Sequence, residues 1–144
     1  MSLIIRECEP ADLHALQHLY EQLMDDGTSY DELCRGFETM QKCADCAVYV
    51  AADDGNVVGT FVLYLLPNMT HHGRMAAVLE NIVVDSAYRR KGVGRAMLEY
   101  ARELAVQNGC YKLSLTSNAA RTGAHCFYEE CGMIRHGISF RYVL

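Results

Sequence analysis

The segment Leu79-Glu80-Asn81-Ile82-Val83-Val84-Asp85-Ser86-Ala87-Tyr88-Arg89-Arg90-Lys91-Gly92-Val93-Gly94-Arg95 decides the fold. Its first half is mainly apolar and predicts a strand, and its second half is a basic turn with two glycines that opens a helix. The first turn of a helix presents unpaired backbone N–H groups and the positive end of the helix dipole, and both attract phosphate. Gly92 and Gly94 leave room for a ligand beside the backbone. The segment therefore predicts a phosphate-binding turn.

The charges around the glycines favour the same interpretation. Three cations precede Gly92 and one follows it: Arg89, Arg90, Lys91 and Arg95. The helix dipole disfavours cations at this end, and a polyanionic ligand would remove that conflict. A solvated basic turn is the alternative. The turn is neither a P-loop, because Gly-x-x-x-x-Gly-Lys-Ser/Thr is absent, nor a full dinucleotide fingerprint, because Met97 occupies the position of the third small residue.

Composition sets the class of protein. The 144 residues predict a single domain, 1–144, and the 51% apolar share is that of an ordinary globular chain. The net charge of −5 makes the basic turn a local feature and argues against a nucleic-acid partner. No apolar run is long enough for a membrane span, and the first residues do not resemble a signal peptide. Seven cysteines without disulfide-scaffold spacing indicate reduced thiols and a cytoplasmic location.

Hydrophobic periodicity predicts the element order βααβββαβαβ. The predicted strands cover 3–8, 47–52, 57–65, 75–84, 111–116 and 138–144, and the predicted helices begin at Pro10, Ser29, Gly92 and Thr122. A hairpin at Asp53-Asp54-Gly55-Asn56 and a capping box at Ser29 and Glu32 mark two of the boundaries. This order predicts an α/β (α+β) fold with a mixed, mostly antiparallel sheet flanked by helices.

Two motifs in order resemble the GCN5-related N-acetyltransferase (GNAT) superfamily. Arg89-x-x-Gly92-x-Gly94, after Glu80–Asp85 and Tyr88, is similar to its acyl-CoA-binding motif. Asn118 followed by His125-Cys126-Phe127-Tyr128-Glu129-Glu130-Cys131-Gly132-Met133 resembles its second motif, with Met133 in place of the usual Phe. The resemblance implies an acetyl-CoA-dependent N-acetyltransferase that uses no metal and acts on a primary amine of a small molecule or peptide. The alternatives are a non-catalytic acyl-CoA-binding module on the same fold and an interaction domain that uses the basic turn.

The resemblance also implies residue roles. Tyr128 would be the general acid that protonates the departing thiolate, although a core tyrosine is the alternative. Glu80 would be the general base, helped by partial burial, although a paired or solvent-facing carboxylate is equally compatible. The strand would splay near Val84, whose backbone N–H would polarise the thioester carbonyl. The expected cofactor-binding residues are Ile82, Val83, Val84, Arg89, Arg90, Lys91, Gly92, Val93, Gly94, Arg95, Asn118 and Tyr128.

The sequence says less about the residues that would bind the amine acceptor. Carboxylates at the junction of the first two helices predict an acidic mouth for a cationic amine, although helix caps explain them equally: Asp25, Asp26, Asp31 and Glu32, with Tyr30 among them. His71 and His72 lie in a predicted loop, and His125 is expected to cap or to be solvated. Cys43-Ala44-Asp45-Cys46 lacks a second ligand pair at zinc spacing and the setting of a redox site. The alternating C-terminal strand would suit pairing in a homodimer.

Overall fold

The computed structural model describes residues 1–144 and contains five strands and four α-helices. In chain order they are β1 (Leu3–Glu7), α1 (Leu13–Leu23), α2 (Tyr30–Gln41), β2 (Cys46–Asp53), β3 (Asn56–Leu66), β4 (Ala76–Val84), α3 (Val93–Gln107), β5 (Lys112–Leu115) and α4 (Thr122–Glu130). The chain separates into two compact units, Met1–Ser114 and Leu115–Leu144. None of the helices has the length and apolar character that crossing a membrane requires.

The five strands form one sheet in the order β1-β2-β3-β4-β5, and each of the first three neighbouring pairs is antiparallel. The predicted hairpin joins β2 to β3, where Asp53 faces Asn56. Asp54 and Gly55 both have positive φ, 49° and 82°, as a two-residue turn of this hand requires. The predicted class, an α/β fold with a mostly antiparallel sheet, is confirmed.

Helices cover both faces of the sheet because alternate strand residues point to opposite sides. Val48, Val50 and Val62 form one core cluster with Leu13 and Leu16 of α1, and Phe37 of α2 belongs to the same cluster. On the other face the Tyr49 ring stacks on Phe61 at 5.1 Å and meets Tyr100 of α3 at 5.8 Å. The first unit therefore has an apolar layer on each side of the sheet.

Gly59 sets how closely α3 approaches the sheet. A Cβ at this position would lie 2.9 Å from Sδ of Met97 in α3 and 3.3 Å from the Val83 carbonyl oxygen. Gly59 pairs with Val84, the last residue of β4, and Met97 is fully buried. Because the missing side chain leaves room for Met97, α3 packs directly behind the end of β4.

Local polar contacts fix the first two helices. The Ser29 hydroxyl accepts the Glu32 N–H at 3.2 Å and the Glu32 carboxylate accepts the Ser29 N–H at 2.8 Å, so the predicted capping box is present. Ahead of α1, the Arg6 guanidinium binds both carboxylate oxygens of Asp12 at 2.7 and 3.0 Å. Those hydrogen bonds are the main reason that the pKa of Asp12 lies below its usual value.

The predicted last strand, residues 138–144, is wrong. Residues 133–144 form neither helix nor strand, and the apolar side chains of the alternating pattern are exposed: Ile138 84%, Phe140 89%, Tyr142 94% and Leu144 114%. Alternation describes which side chains would share a face, but a strand also needs a neighbouring strand for its backbone hydrogen bonds. Within the chain this segment has none, so the pattern alone produces no strand.

Candidate active site

A β-bulge interrupts β4 in the middle of the segment that the sequence singled out. Glu80 faces Val62 and Val83 faces Thr60, so two residues of β4, Asn81 and Ile82, lie opposite the single residue between Thr60 and Val62. Asn81 has a φ of +51°, which asparagine tolerates better than most residues. A bulge bends its strand and breaks the ladder of backbone hydrogen bonds. The irregularity therefore begins before Ile82, upstream of the splay expected near Val84.

The edge of β4 that faces away from β3 has a neighbouring strand along only part of its length. The Tyr111 N–H donates to the Met75 carbonyl at 2.9 Å, so β5 starts beside the start of β4. β5 has four residues whereas β4 has nine. The strand is therefore too short to accompany the bulged half, Glu80–Val84. That half, which contains the expected cofactor-binding residues Ile82 to Val84, has one edge without a neighbouring strand.

The turn after β4 has the backbone conformation of an anion site. Gly92 is the N-cap of α3 with a φ of +85°, and Arg90 also has a positive φ, 61°. No side chain caps this end of α3. A Cβ at Gly92 would meet nothing within 4 Å, so the space in front of the helix is open. Val93 is buried and anchors the first turn, while the predicted cations are on the outside.

Two contacts orient the cations. The Arg89 Nε donates to the Val84 carbonyl at 3.4 Å, and the Lys91 ammonium lies 5.0 Å from the centroid of the Tyr88 ring. Arg89, Arg90, Lys91, Gly92 and Arg95 are exposed. The arrangement combines an open helix N-terminus with positive charge, which is what the pyrophosphate and phosphate groups of a nucleotide need.

Helix α1 holds the corner between β4 and the turn. The Gln22 side-chain oxygen accepts the Ser86 N–H at 2.9 Å, and the Asp85 carboxylate accepts the Ala87 N–H at 2.9 Å. His18 Nε2 lies 4.0 Å from the same Asp85 carboxylate. The end of α1, the corner and the phosphate turn are thus one hydrogen-bonded assembly.

A cavity of about 430 Å³ lies where the connection from α1 to α2 meets the bulge. Three carboxylates line it, those of Glu21, Asp25 and Asp26, and Asn81 lines it from β4. The Asp26 carboxylate also accepts hydrogen bonds from the hydroxyl and the N–H of Thr28, which lower its pKa and keep it ionised. Of the acidic residues expected here, Asp31 is outside the lining, and Glu32 is a helix cap. Tyr30 stacks on His14 at 4.0 Å and is outside the lining too.

Tyr20 lines the same cavity and links it to the sheet. The Thr60 side chain lies near the Tyr20 hydroxyl, and Thr60 pairs with Val83 beyond the bulge of β4. Burial raises the pKa of Tyr20 to about 12. The sequence analysis missed Tyr20, Glu21 and the role of Asn81, because their proximity depends on the packing of α1 across β3 and β4. A polar Asn inside an apolar strand was the one signal available for the bulge.

Glu80 lies opposite Val62, next to Asn81, and is exposed. The partial burial expected from its apolar neighbours is therefore not found. Because successive residues of a strand alternate between its faces, Glu80 lies on the side of β4 opposite to Leu79, which is buried at 2% exposure. The carboxylate is accessible to a ligand that lies along β4.

The second unit carries the other motif. Tyr128 on α4 is buried, and this burial is the main cause of a raised pKa, while the nearby Arg121 opposes it. The Asn118 side-chain oxygen accepts the Ala120 N–H at 2.9 Å, and the His125 ring bonds the Asn118 carbonyl at 2.9 Å. His125 therefore braces the loop before α4. The hydroxyl of the neighbouring Ser117 is buried without a hydrogen-bond partner.

The remaining polar motifs have structural contacts. The His71 ring stacks on Tyr111 at 3.8 Å, and Arg74 donates to the carbonyls of Gly109 and Cys110, so the loop before β4 is held against the end of α3. His71 and His72 both have positive φ. No group of three or more His, Cys, Asp or Glu side chains is arranged to hold a metal ion.

Comparison with known proteins identifies the family of the chain. Residues 13–133 match the sequence model of the acetyltransferase (GNAT) family. A glucosamine 6-phosphate N-acetyltransferase of Trypanosoma brucei brucei is 34% identical over 89 residues, which are 62% of this chain and 58% of that protein. Human N-acetylaspartate synthetase is 33% identical over 96 residues, 67% of this chain and 30% of that protein. The chain thus spans about half or less of the length of these two relatives.

Among solved structures, a putative acetyltransferase from Agrobacterium tumefaciens str. C58 has a TM-score of 0.91 at 32% identity, and the match covers 100% of both chains. The glucosamine-6-phosphate N-acetyltransferase of Arabidopsis thaliana has a TM-score of 0.87 at 26% identity, with 99% of both chains covered. The resemblance drawn from the two motifs is confirmed at the level of the fold and the family.

Replacing Gly92 with Val tests the phosphate turn. A β-branched residue is strongly disfavoured at positive φ, so the turn must change its backbone conformation although the space is open. We expect acetyl-CoA to bind at least about 100-fold more weakly in calorimetry, a loss of roughly 2.7 kcal/mol. Gly55→Val is the matched control, since Gly55 has a φ of +82° and open space but lies in the β2–β3 turn. Equal affinity in the two variants would contradict the assignment.

Proposed function

Because the chain belongs to the acetyltransferase (GNAT) family, we propose that it is an acetyl-CoA-dependent N-acetyltransferase. The observation that carries the proposal is the continuous path from the bulged half of β4 to the open, uncapped N-terminus of α3. A non-catalytic acyl-CoA-binding module would need the same path, but it would need neither a carboxylate beside the path nor an acidic cavity next to it. Both features favour an enzyme.

The residues along the path fit the chemical groups of acetyl-CoA. Backbone N–H groups from Arg90 to Arg95 would hold the pyrophosphate, with Arg89, Arg90 and Lys91 adding charge to it or to the 3′-phosphate. Ile82 to Val84 would bind the pantetheine arm as a surrogate strand neighbour. Asn118 would contact the arm as well, as the family resemblance implies. When bound, acetyl-CoA supplies the thioester whose acetyl group is transferred.

Three groups of this chain would serve the transfer itself. The Glu80 carboxylate would take a proton from the incoming ammonium group, either directly or through water, so that the amine becomes a nucleophile. A backbone N–H near Val84 would donate a hydrogen bond to the thioester oxygen while negative charge develops there. Tyr128 would donate its phenolic proton to the departing sulfur, as the family resemblance implies. Its raised pKa keeps that proton in place at neutral pH.

The acidic cavity supports a cationic amine as acceptor. Its lining residues are Gln17, Tyr20, Glu21, Leu23, Met24, Asp25, Asp26, Gly27, Thr28, Leu33 and Asn81, with no Lys or Arg among them. The names of the relatives give acceptors with a phosphate or two carboxylates, which this lining would repel. We therefore propose an amine that carries a second positive charge.

Seven free cysteines support a reducing compartment, the cytoplasm.

A thiol-release assay with acetyl-CoA tests the activity and the acceptor together. We expect the highest kcat/KM for a polyamine or a polycationic aminoglycoside, and little turnover of glucosamine 6-phosphate or aspartate. Glu21→Gln and Asp25→Asn should each raise the KM of the cationic amine about two- to fivefold, because an exposed charge contributes roughly 0.5–1 kcal/mol. Asp31→Asn is the matched control, since Asp31 is exposed and outside the cavity.

The opposite results are equally informative. Preference for glucosamine 6-phosphate or aspartate would refute the cationic acceptor while preserving the enzyme. Acetyl-CoA binding without turnover of any amine would favour the non-catalytic module.

Tyr128→Phe tests the proposed general acid. Loss of the proton donor should lower kcat by about 100-fold or more while acetyl-CoA affinity changes little. Because the pKa of Tyr128 lies above the usual value for tyrosine, it should impose no loss of wild-type rate below about pH 10. Tyr111→Phe, which removes a hydroxyl from a ring stacked on His71, is the control. Full turnover in Tyr128→Phe would remove this residue from the mechanism.

The exposed C-terminal residues support a homodimer. A second copy would give the alternating residues 138–144 the neighbouring strand that they lack within one chain. Sedimentation at micromolar concentration should then give twice the 16.2 kDa of one chain. The double variant Ile138→Ser and Phe140→Ser should shift it to the monomer, while Val106→Ser, at an exposed apolar position on α3, should not. A wild-type monomer would contradict the proposal.

A further inference from the structure

The Cys-x-x-Cys sequence at Cys43 and Cys46 has no part in the proposed acetyl transfer, and both of its cysteines line one cavity. Cys43 follows the end of α2, and Cys46 is the first residue of β2. Only the turn residues Ala44 and Asp45 separate the two cysteines. Cys46 Sγ also lies 3.7 Å from the Met40 carbonyl, which accepts the Cys43 N–H at 3.0 Å. The Met40 carbonyl therefore orients both ends of the motif.

The surroundings give the two thiols different exposure. Cys43 is exposed, whereas Cys46 is half-buried. Both line a second cavity, of about 450 Å³, at the end of the sheet where β2 begins and β3 ends. A third thiol lines this cavity as well, that of Cys8, but it is buried, and burial raises its pKa to about 12. Cys8 therefore stays protonated and unreactive, which leaves a pair.

We propose that Cys43 and Cys46 form a vicinal dithiol that is oxidised reversibly to an intrachain disulfide by a small-molecule disulfide such as oxidised glutathione. An exposed thiol beside a partly covered one is the arrangement in which the first attacks the oxidant and the second resolves the mixed disulfide. The inference does not rest on acetyl transfer, because neither thiol is among the residues assigned to that reaction. Cys46 pairs with Tyr64, two positions along β3 from the partner of Glu80 and five from the partner of Val84. At about 3.3 Å per residue along β3, the dithiol is roughly 15–20 Å from the end of β4.

The chemical steps balance with that oxidant. The Cys43 thiolate attacks one sulfur of the small disulfide, a mixed disulfide forms, and the first small thiolate leaves and takes a proton from water. Cys46, after losing its proton to solvent, attacks the Cys43 sulfur, and the second small thiol leaves in the same way. The dithiol loses two electrons and two protons, and the small disulfide gains both. The disulfide ring would enclose only the two residues between the cysteines. We therefore expect α2 and β2 to keep their positions.

The test uses the full chain in glutathione buffers of graded ratio, followed by acid quenching, alkylation of free thiols and mass spectrometry of the peptide with both cysteines. In the wild type we expect this peptide to lose both alkylation sites in an internal disulfide, and dithiothreitol should restore them. Cys46→Ser should instead keep a glutathione adduct on Cys43, and Cys43→Ser should leave Cys46 alkylated. Cys126→Ser, which removes an exposed cysteine on α4, should behave as the wild type.

A second measurement needs no variant. Phenylarsine oxide, which bridges two neighbouring thiols, should bind the reduced wild type with one arsenic at Cys43 and Cys46 and block their alkylation. A stable glutathione adduct at Cys43 of the wild type, alkylation of both cysteines in excess oxidised glutathione, or bonding of either to another cysteine would each overturn the proposal. The thiol-release rate of Cys43→Ser should equal that of the wild type, so failure of acetyl transfer leaves this test unaffected.

Discussion

The bulge at Asn81 is the constraint on which the site depends. In a regular strand, Leu79 and Val83, which are four positions apart in the sequence, would lie on one face of β4. With the bulge, Leu79 faces Leu63 and Val83 faces Thr60, and these neighbours in β3 are three positions apart and hence on opposite faces. The buried side chains of β4 thus point into one apolar layer before the bulge and into the other layer after it. The cost is one non-glycine residue at positive φ and a broken stretch of ladder.

The bulge also explains why the site is open where it is. A regular β4 beside a longer β5 would pair all of its backbone groups within the sheet. Here β5 ends after four residues and Gly59 lets α3 pack close behind the end of β4. The edge of Glu80–Val84 that has no neighbouring strand is consequently followed by the first turn of α3. Position, not an unusual side chain, makes this part of the chain suitable for a long ligand with an anionic end.

Local signals were sufficient for most of the fold. The capping box of Ser29 and Glu32 and the turn of Asp54 and Gly55 involve residues at most three positions apart, and the structure has both. The glycine turn before α3 is also local. The bulge, by contrast, requires β3 as a partner, so the periodicity of β4 described a regular strand. The last predicted strand failed for the same reason, because alternation cannot supply a neighbour.

The candidate site likewise contains one part that depends on adjacent residues and one part that depends on distant residues. The cationic turn was evident from adjacent residues, but the cavity joins α1, the α1–α2 connection and Asn81, which are more than fifty positions apart. The lining of the cavity is negatively charged, whereas the turn is positively charged. A chain of net charge −5 thus has exposed cations in the turn and carboxylates in the cavity lining. Because like charges repel, the proposed arrangement would keep an anionic donor out of the acidic cavity and a cationic acceptor off the turn. Charge separation between the turn and the cavity would therefore sort two substrates before either makes a specific contact.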